Sequence, residues 1–523
     1  MPMNPPCQPT RPGRDRRAVL WPARGGAARV PAPAPRAAVV GGGIAGIAAA
    51  VALAERGVRV DLLEREETLG GRAAGWRTAL ADGRQVTMSR GFHAFFRQYY
   101  NLRALLRRAD PGLHRLRPLA DYPLQRATGA RDGFRHVPRT PPWSVLGFVA
   151  LSPAFGWSSL PRMNPRAALP LLDVRVPEVY ERLDGVSASA FLDEVRFPED
   201  ARDLAFEVFS RSFFADPKEL SAAELVLMFH IYFLGSSEGL LFDVPGEPYP
   251  QALWEPLAAH LSGLGARVRT GSTVLAVRPD DEGFRLAVAA TGTPSPAPEE
   301  HRYDAVVLAL DTAGLQAVAA ASPGVGTGAW RAGVERLRQA PPFLVSRYWL
   351  DRPVQQDRPG FLGTSGYGPV DNVSVLSHWE GEAARWAAAT GGSVVELHAY
   401  AVGPAADRGS VQDAMHRELS RIYPECGAAA VVDSRHEWRC DCPLFAVGGY
   451  RDRPTVRTSH PRLVLAGDHV RTALPVALME RAATTGMEAA NALLATWGVR
   501  GHPLWSVPVG GRNPVMRALA RRG

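Results

Sequence analysis

Ala38-Val39-Val40-Gly41-Gly42-Gly43-Ile44-Ala45-Gly46 is an apolar run that breaks on glycines and passes straight into a helical pattern. Glycines spaced G-x-G-x-x-G are weak evidence alone; their surroundings decide the reading. Residues 37–40 read as a buried strand, about 44–56 as a helix that Gly57 ends with a left-handed cap, and 58–63 as a second strand. In such a strand–turn–helix–strand unit, Gly41 and Gly43 permit the tight turn and close backbone approach to a pyrophosphate, and Gly46 lets the helix pack on the strand. Ile44 and Ala45 open a helix whose amides and positive dipole face that phosphate. Glu64, at the end of the second strand, is placed to accept hydrogen bonds from the hydroxyls of an adenosine ribose. Leu69-Gly70-Gly71-Arg72 completes the segment.

A second half-site lies near the other end of the chain. Arg462-Leu463-Val464-Leu465-Ala466-Gly467-Asp468 is a strand ending in an acid, and a helix-like run follows from Met479 through Ala483 to Leu494. Asp468 can accept from ribityl hydroxyls, or reach the pyrophosphate through water. The N-terminus of the later helix can stabilise negative charge on a reduced flavin ring. Together the halves point to FAD, which restricts the chemistry to moving hydrides or electrons. Residues 265–277, with Val274 facing the cofactor, read as a strand pair returning to the nucleotide domain, and 287–303 as a surface hairpin and loop. The unbroken apolar stretch 304–310 suits a parallel sheet covered on both faces. The expected fold is α/β: a Rossmann-like FAD-binding domain of the glutathione-reductase type (37–118, 262–315 and 430–498) with an inserted mixed α+β substrate domain (119–261 and 316–429). A chain of 523 residues exceeds what one core usually organises, which agrees with two domains.

These segments resemble the FAD domain of the flavin amine oxidase and phytoene desaturase superfamily. More narrowly, Met88-Ser89-Arg90-Gly91-Phe92-His93-Ala94-Phe95-Phe96-Arg97-Gln98-Tyr99-Tyr100-Asn101-Leu102 and Leu474-Pro475-Val476-Ala477-Leu478-Met479-Glu480-Arg481-Ala482 resemble the carotene desaturase/methylase group, which includes isorenieratene synthase. The resemblance implies oxidation of the β-ionone rings of a carotenoid such as β-carotene. A ring carbon bearing two methyls cannot become aromatic, so hydride loss would be followed by migration of one methyl, proton loss and a second oxidation. No methyl donor is needed. Oxygen or a membrane quinone would reoxidise the flavin. In this setting His93 is either a base, because a neutral imidazole suits proton uptake near pH 7, or a histidine that packs or bonds to backbone, and Arg72 would contact cofactor phosphate or the flavin edge. His230, in an apolar helix, is expected to pack in the core. Trp438 and Cys440 are weaker candidates for bordering the ring pocket. Acyclic desaturation or cis–trans isomerisation are the enzymatic alternatives. A flavin-free prenyl-lipid escort of similar architecture is the non-enzymatic one, and the intact Glu64, Arg72 and Asp468 set argues against it.

Charge is concentrated at the ends. Residues 1–36 carry seven Arg and one Asp, and 512–523 four Arg and no acid; that is +10 of a net +8, leaving −2 between them. The expectation is a disordered basic tail over 1–36 and a basic C-terminal tail over 499–523, more apt for anionic lipid head groups than for nucleic acid. Four cysteines make no disulfide framework, and none sits in a zinc-ligand pattern. No run approaches the ~20 apolar residues of a spanning helix, and no export signal is evident. The apolar stretch 141–151, with Trp143 at one edge, reads either as a core helix or as the best candidate for dipping into a membrane. The expected location is cytoplasmic, peripheral at the inner face of the cell membrane.

Overall fold

The computed structural model describes residues 11–152, 160–198, 213–292 and 298–520. Strands from four distant stretches of chain form one parallel five-stranded sheet, in the order Arg267–Arg269, Arg59–Leu63, Arg36–Val40, Ala305–Leu308, Leu463–Leu465. Their apolar side chains are buried because both faces of the sheet are covered. Every residue of helix Ile44–Ala54 is buried. Its run of alanines permits close approach, and a Cβ added to Gly486 of helix Leu478–Thr496 would meet the Ala45 carbonyl oxygen at 2.2 Å. The two halves of the nucleotide motif thus pack backbone against backbone.

The second layer is a seven-stranded sheet, ordered Val431–Arg439, Phe343–Leu350, Ser393–Ala399, Asn372–Val375, Phe361–Ser365, Leu124–Arg126, Arg131–Asp132. It is antiparallel except where Phe361–Ser365 runs parallel to Leu124–Arg126. Two expected boundaries move. Val431–Arg439, expected within the FAD segment 430–498, pairs with Phe343–Leu350 and belongs to this second sheet. Helix Glu255–Gly263, expected in the substrate domain, packs on Ile44–Ala54 and on Arg267–Arg269. Both lie at crossings between domains, where apolar periodicity is the same on either side. The hairpin expected over 287–303 is present as Gly283–Ala290 paired with Glu299–Tyr303; residues 293–297 lie outside the described chain.

The expected disorder of residues 1–36 is corrected over their described part, and the basic C-terminal tail is packed against it. Val19–Trp21 pairs antiparallel with Leu504–Ser506. Asp15, 1% exposed, accepts from both terminal nitrogens of Arg512 at 2.7 and 2.9 Å. Each arm is too poor in apolar residues to fold alone, but the two complete one another, and a buried ion pair joins them. The charge that suggested free basic tails is therefore partly neutralised inside the protein.

Among the described residues no helix is long and apolar enough to cross a membrane. Helix Trp143–Leu151 nevertheless turns one apolar face outward, with Trp143, Leu146 and Leu151 exposed by 62, 51 and 56%. Its other face is anchored: Phe148 stacks on Phe134 at 5.2 Å, and the Ser144 hydroxyl donates to the Phe233 carbonyl.

Candidate active site

A cavity of about 730 Å³ extends from Glu64 past Gly41, Gly43, Arg72 and Asp468 into a chamber walled by Phe92, Tyr122, Tyr232, Phe361 and Tyr400. The glycine turn is shaped for a large anion. Gly41 has φ +104°, and a Cβ there would lie 2.3 Å from the Ala309 carbonyl oxygen. A Cβ on Gly43 would meet nothing nearer than Gly71 Cα at 3.9 Å, so the space above the turn is open. No side chain caps helix Ile44–Ala54, which leaves its first-turn amides for an exogenous acceptor. Glu64 accepts from the Gly42 and Glu66 amides at 2.5 and 2.8 Å. A carboxylate has about four acceptor sites, so capacity remains for ribose hydroxyls. Burial raises this carboxyl above its ordinary range while the two amides oppose the rise.

The halves of the site meet at an ion pair: Arg72 donates to Asp468 at 2.6 Å. Asp468 is held below the ordinary carboxylate range: burial would raise it, but the Arg72 charge and hydrogen bond prevail. Gly70, Gly71, Ile44, Ala45, Val274, Gly467 and Met479 also line the cavity. Gly46 and Ala483 do not. Gly46 lies behind the turn, where a Cβ would fall 1.8 Å from the Gly41 carbonyl oxygen. Ala483 is fully buried, and its neighbour Ala482 faces the cavity instead. Leu478, also in the wall, has φ +52°, a left-handed conformation rare for a branched side chain and typical of functional turns. The residues present therefore fit FAD.

Residues 44–494 match the family model described as flavin containing amine oxidoreductase. The chain belongs to that family. It is a flavin oxidoreductase and its cofactor is FAD. A carotenoid phi-ring synthase of Streptomyces griseus is 66% identical over 98% of this chain and 97% of its own length. A protein of the same name from Chlorobaculum tepidum is 29% identical over 91% of each. Among solved structures, a putrescine oxidase double mutant superposes with TM-score 0.65 at 16% identity, covering 88% of this chain and all of that one. Cyclohexylamine oxidase from Brevibacterium oxydans gives 0.61 at 16% identity, over 89 and 99% of the two chains. These two flavoenzymes establish the fold shared with the oxidoreductase family.

His93 lines the cavity between the cofactor cradle and the aromatic chamber. Its Nδ1 lies 2.9 Å from the Gly91 carbonyl. A carbonyl only accepts, so Nδ1 carries the proton and Nε2 keeps its lone pair. Burial lowers the imidazole to about 4, so it is neutral at pH 7. His230 is fully buried, with Nε2 2.7 Å from the Pro508 carbonyl, and does not border the cavity. Trp438 and Cys440 do not reach the cavity either; Glu437, Arg439, Asp441 and Cys442 do. Among the described residues no group of three or more His, Cys, Asp or Glu side chains could hold a metal.

Three features escaped the sequence reading. Arg90 is ion-paired to Asp441 at the cavity wall. Glu480 accepts from the backbone amides of Asn101 and Leu102 at 2.8 and 2.9 Å. It thereby caps helix Tyr100–Leu106 and ties together the two segments that carry the narrower resemblance. Tyr400 projects into the chamber from the end of strand Ser393–Ala399. Polar residues at 396, 398 and 400 were the available signal, since alternate positions on a strand share a face.

Proposed function

We propose that the chain oxidises the β-ionone end rings of a carotenoid, β-carotene in the first instance, and shifts one methyl to give aromatic rings. The observation that carries this reading is the single cavity joining the FAD cradle to an aromatic chamber. The 66% identical relative named carotenoid phi-ring synthase supports it, as do phytoene desaturases matching nearly half the chain. As a member of the phytoene desaturase superfamily, the chain is a carotenoid-modifying flavin oxidoreductase.

Bound FAD supplies a two-electron acceptor for hydride. Gly41, Gly43 and the uncapped amides of helix Ile44–Ala54 would hold its pyrophosphate and Glu64 its ribose, and the Arg72–Asp468 pair lines the same cavity. The chain's own contribution to the ring chemistry is a π-rich wall. Phe92 stacks on Phe361 at 4.2 Å, and Phe96 lies 4.6 Å from Tyr232. Aromatic faces attract a cation by about 0.5–1 kcal/mol at exposed sites and about 2 kcal/mol where water is excluded. His93 Nε2 then takes a ring proton, and its rise to imidazolium is opposed by burial, which keeps the transfer reversible. Proton uptake by His93 is expected to persist as pH falls below 6.5 and to fail only as it approaches about 4. A pH–rate profile of single turnover tests this; a break near 6.5 would remove His93 from the role. The sign for stability is opposite in use. Between those two pH values the unfolded imidazole binds a proton that the folded one refuses, so stability declines as pH drops through 6.5.

The decisive experiment is the mass of pigment from β-carotene-producing cells expressing the chain. Loss of four hydrogens per converted ring with every carbon retained is the expected result. Unchanged mass with altered isomers would indicate an isomerase. Oxygen or a membrane quinone is proposed as terminal acceptor.

A water-insoluble substrate calls for access from a bilayer, and helix Trp143–Leu151 is proposed as the contact, on the inner face of the cell membrane. Within this helix Leu146 is exposed whereas Phe148 is only 8% exposed, so charge belongs on the outward face. The variant Trp143→Glu, Leu146→Glu, Leu151→Glu is expected to move the protein from the membrane fraction to the supernatant with its flavin retained. A colourless, insoluble variant would show that the face packs inside the protein.

A further inference from the structure

Resting on the ring-oxidation reading, we infer that Tyr400, backed by His398 and Glu396, is a second proton acceptor in the chamber. Each aromatised ring gives up four hydrogens as two hydrides and two protons, so two proton removals need acceptors. His93 accounts for one of them.

The second is built into one strand face. Arg347 donates through Nε and Nη2 to Glu396 Oε2, at 2.9 and 2.6 Å. Both side chains are nearly fully buried, at 5 and 1% exposure. Burial alone would raise the Glu396 carboxyl, but the Arg347 charge and the His398 hydrogen bond bring it down to about 2. Oε1 of this ionised group lies 2.9 Å from His398 Nε2. The Phe92 amide also points at that nitrogen, at 3.2 Å, and would favour the opposite tautomer. The carboxylate prevails, because an ionised acceptor makes a hydrogen bond roughly twice as strong as a neutral pair. Nε2 therefore carries the proton, and Nδ1 offers a lone pair to the Tyr400 hydroxyl 2.6 Å away. Asn372 Nδ2 donates to the same phenolic oxygen at 3.0 Å, which leaves the phenolic hydrogen for His398. The order is carboxylate, imidazole, phenol, then cavity.

The step balances. A ring C–H bond breaks, its electron pair enters the ring π system and discharges the cation, and the proton bonds to the phenolic oxygen. The phenolic hydrogen passes to His398 Nδ1, and the imidazolium formed is held by Glu396. No oxidant enters this step. Gly91 makes the arrangement possible. It has φ +96°, and a Cβ there would lie 2.4 Å from His398 Cε1. The same glycine thus positions His93 through its carbonyl and leaves room for His398.

Tyr400 is the catalytic residue of the set; His398 and Glu396 are positioning residues. The test uses the FAD-loaded enzyme, with β-carotene in detergent micelles, and compares wild type, Tyr400→Phe, His398→Asn and His398→Ala. Tyr400→Phe is expected to lower kcat by about 10²–10³-fold, within the usual contribution of a general base, with KM and flavin content unchanged. His398→Asn keeps a hydrogen bond to the phenol without a site for the proton, so it is expected to fall as far as His398→Ala. Wild-type kcat in Tyr400→Phe, or rescue of kcat by Asn, overturns the relay while ring oxidation stands. A wild-type enzyme that leaves the pigment mass unchanged overturns both.

Discussion

Glu224→Gln is expected to cost about 3–5 kcal/mol of stability, the usual result of removing one partner from a buried ion pair. Glu224 is 1% exposed and serves two arginines. Its Oε1 accepts from Arg453 Nη1 at 2.5 Å and from the Tyr180 hydroxyl at 2.9 Å; its Oε2 accepts from Arg481 Nη2 at 2.8 Å. Burial alone would raise this carboxyl, but Arg481 and Arg453 hold it below the ordinary range. The neutral amide would leave two buried guanidiniums without the carboxylate charge they share. The damage would not stay local. Arg481 also donates to the carbonyls of Val476 and Asp468, and Arg453 to that of His469. These bonds fix the loop that carries the acid of the second half-site. Thermal unfolding followed by released flavin fluorescence is the measurement. A midpoint within a degree of wild type would show that the arginines find other partners.

Gly46→Val is expected to abolish FAD binding, lowering affinity by about 100-fold or more, equivalent to about 2.7 kcal/mol. The first carbon of the new side chain would sit 1.8 Å from the Gly41 carbonyl oxygen and 3.3 Å from Ala309 Cβ. The 1.8 Å contact is with backbone, so rotamer changes cannot relieve it. The helix must lift off the turn, and its first-turn amides leave the position where they meet phosphate. The ratio of flavin to protein absorbance in the purified variant reads the effect. Stoichiometric flavin would mean that the helix can shift without moving those amides. Gly43→Ala is the informative contrast, because a methyl there meets no protein atom within 3.9 Å and would exclude the cofactor only by occupying its space.

The nucleotide half of this protein was legible because its signals are local and chemically unusual. A strand ending on spaced glycines, an acid after the next strand, and a late strand ending in Asp468 each constrain the backbone within a few residues. The family, cofactor and fold followed from them. The chamber was less legible, since its walls come from segments hundreds of residues apart and use ordinary aromatic side chains. Glu396, His398 and Tyr400 had a readable alternation, but their meaning depends on Arg347 in the neighbouring strand and on the space left by Gly91. The terminal arms were misread for a similar reason. Composition describes what a segment can bury alone, and Asp15 has its partner in Arg512.

That closure sets an order on biosynthesis. Trp21 donates to Ser506 across 485 residues of sequence, and Arg72 to Asp468 across 396. At roughly 5–20 residues per second of synthesis, the first strand waits about 25 to 100 seconds for its partner. Through that interval the glycine turn exists without its acid and without the helix that covers it. Flavin can be captured firmly only once Asp468 and helix Leu478–Thr496 have been made. Until then the sheet lacks its strand Leu463–Leu465, and loss of the stretch from that strand through helix Leu478–Thr496 would leave the whole cradle open rather than trim an appendage.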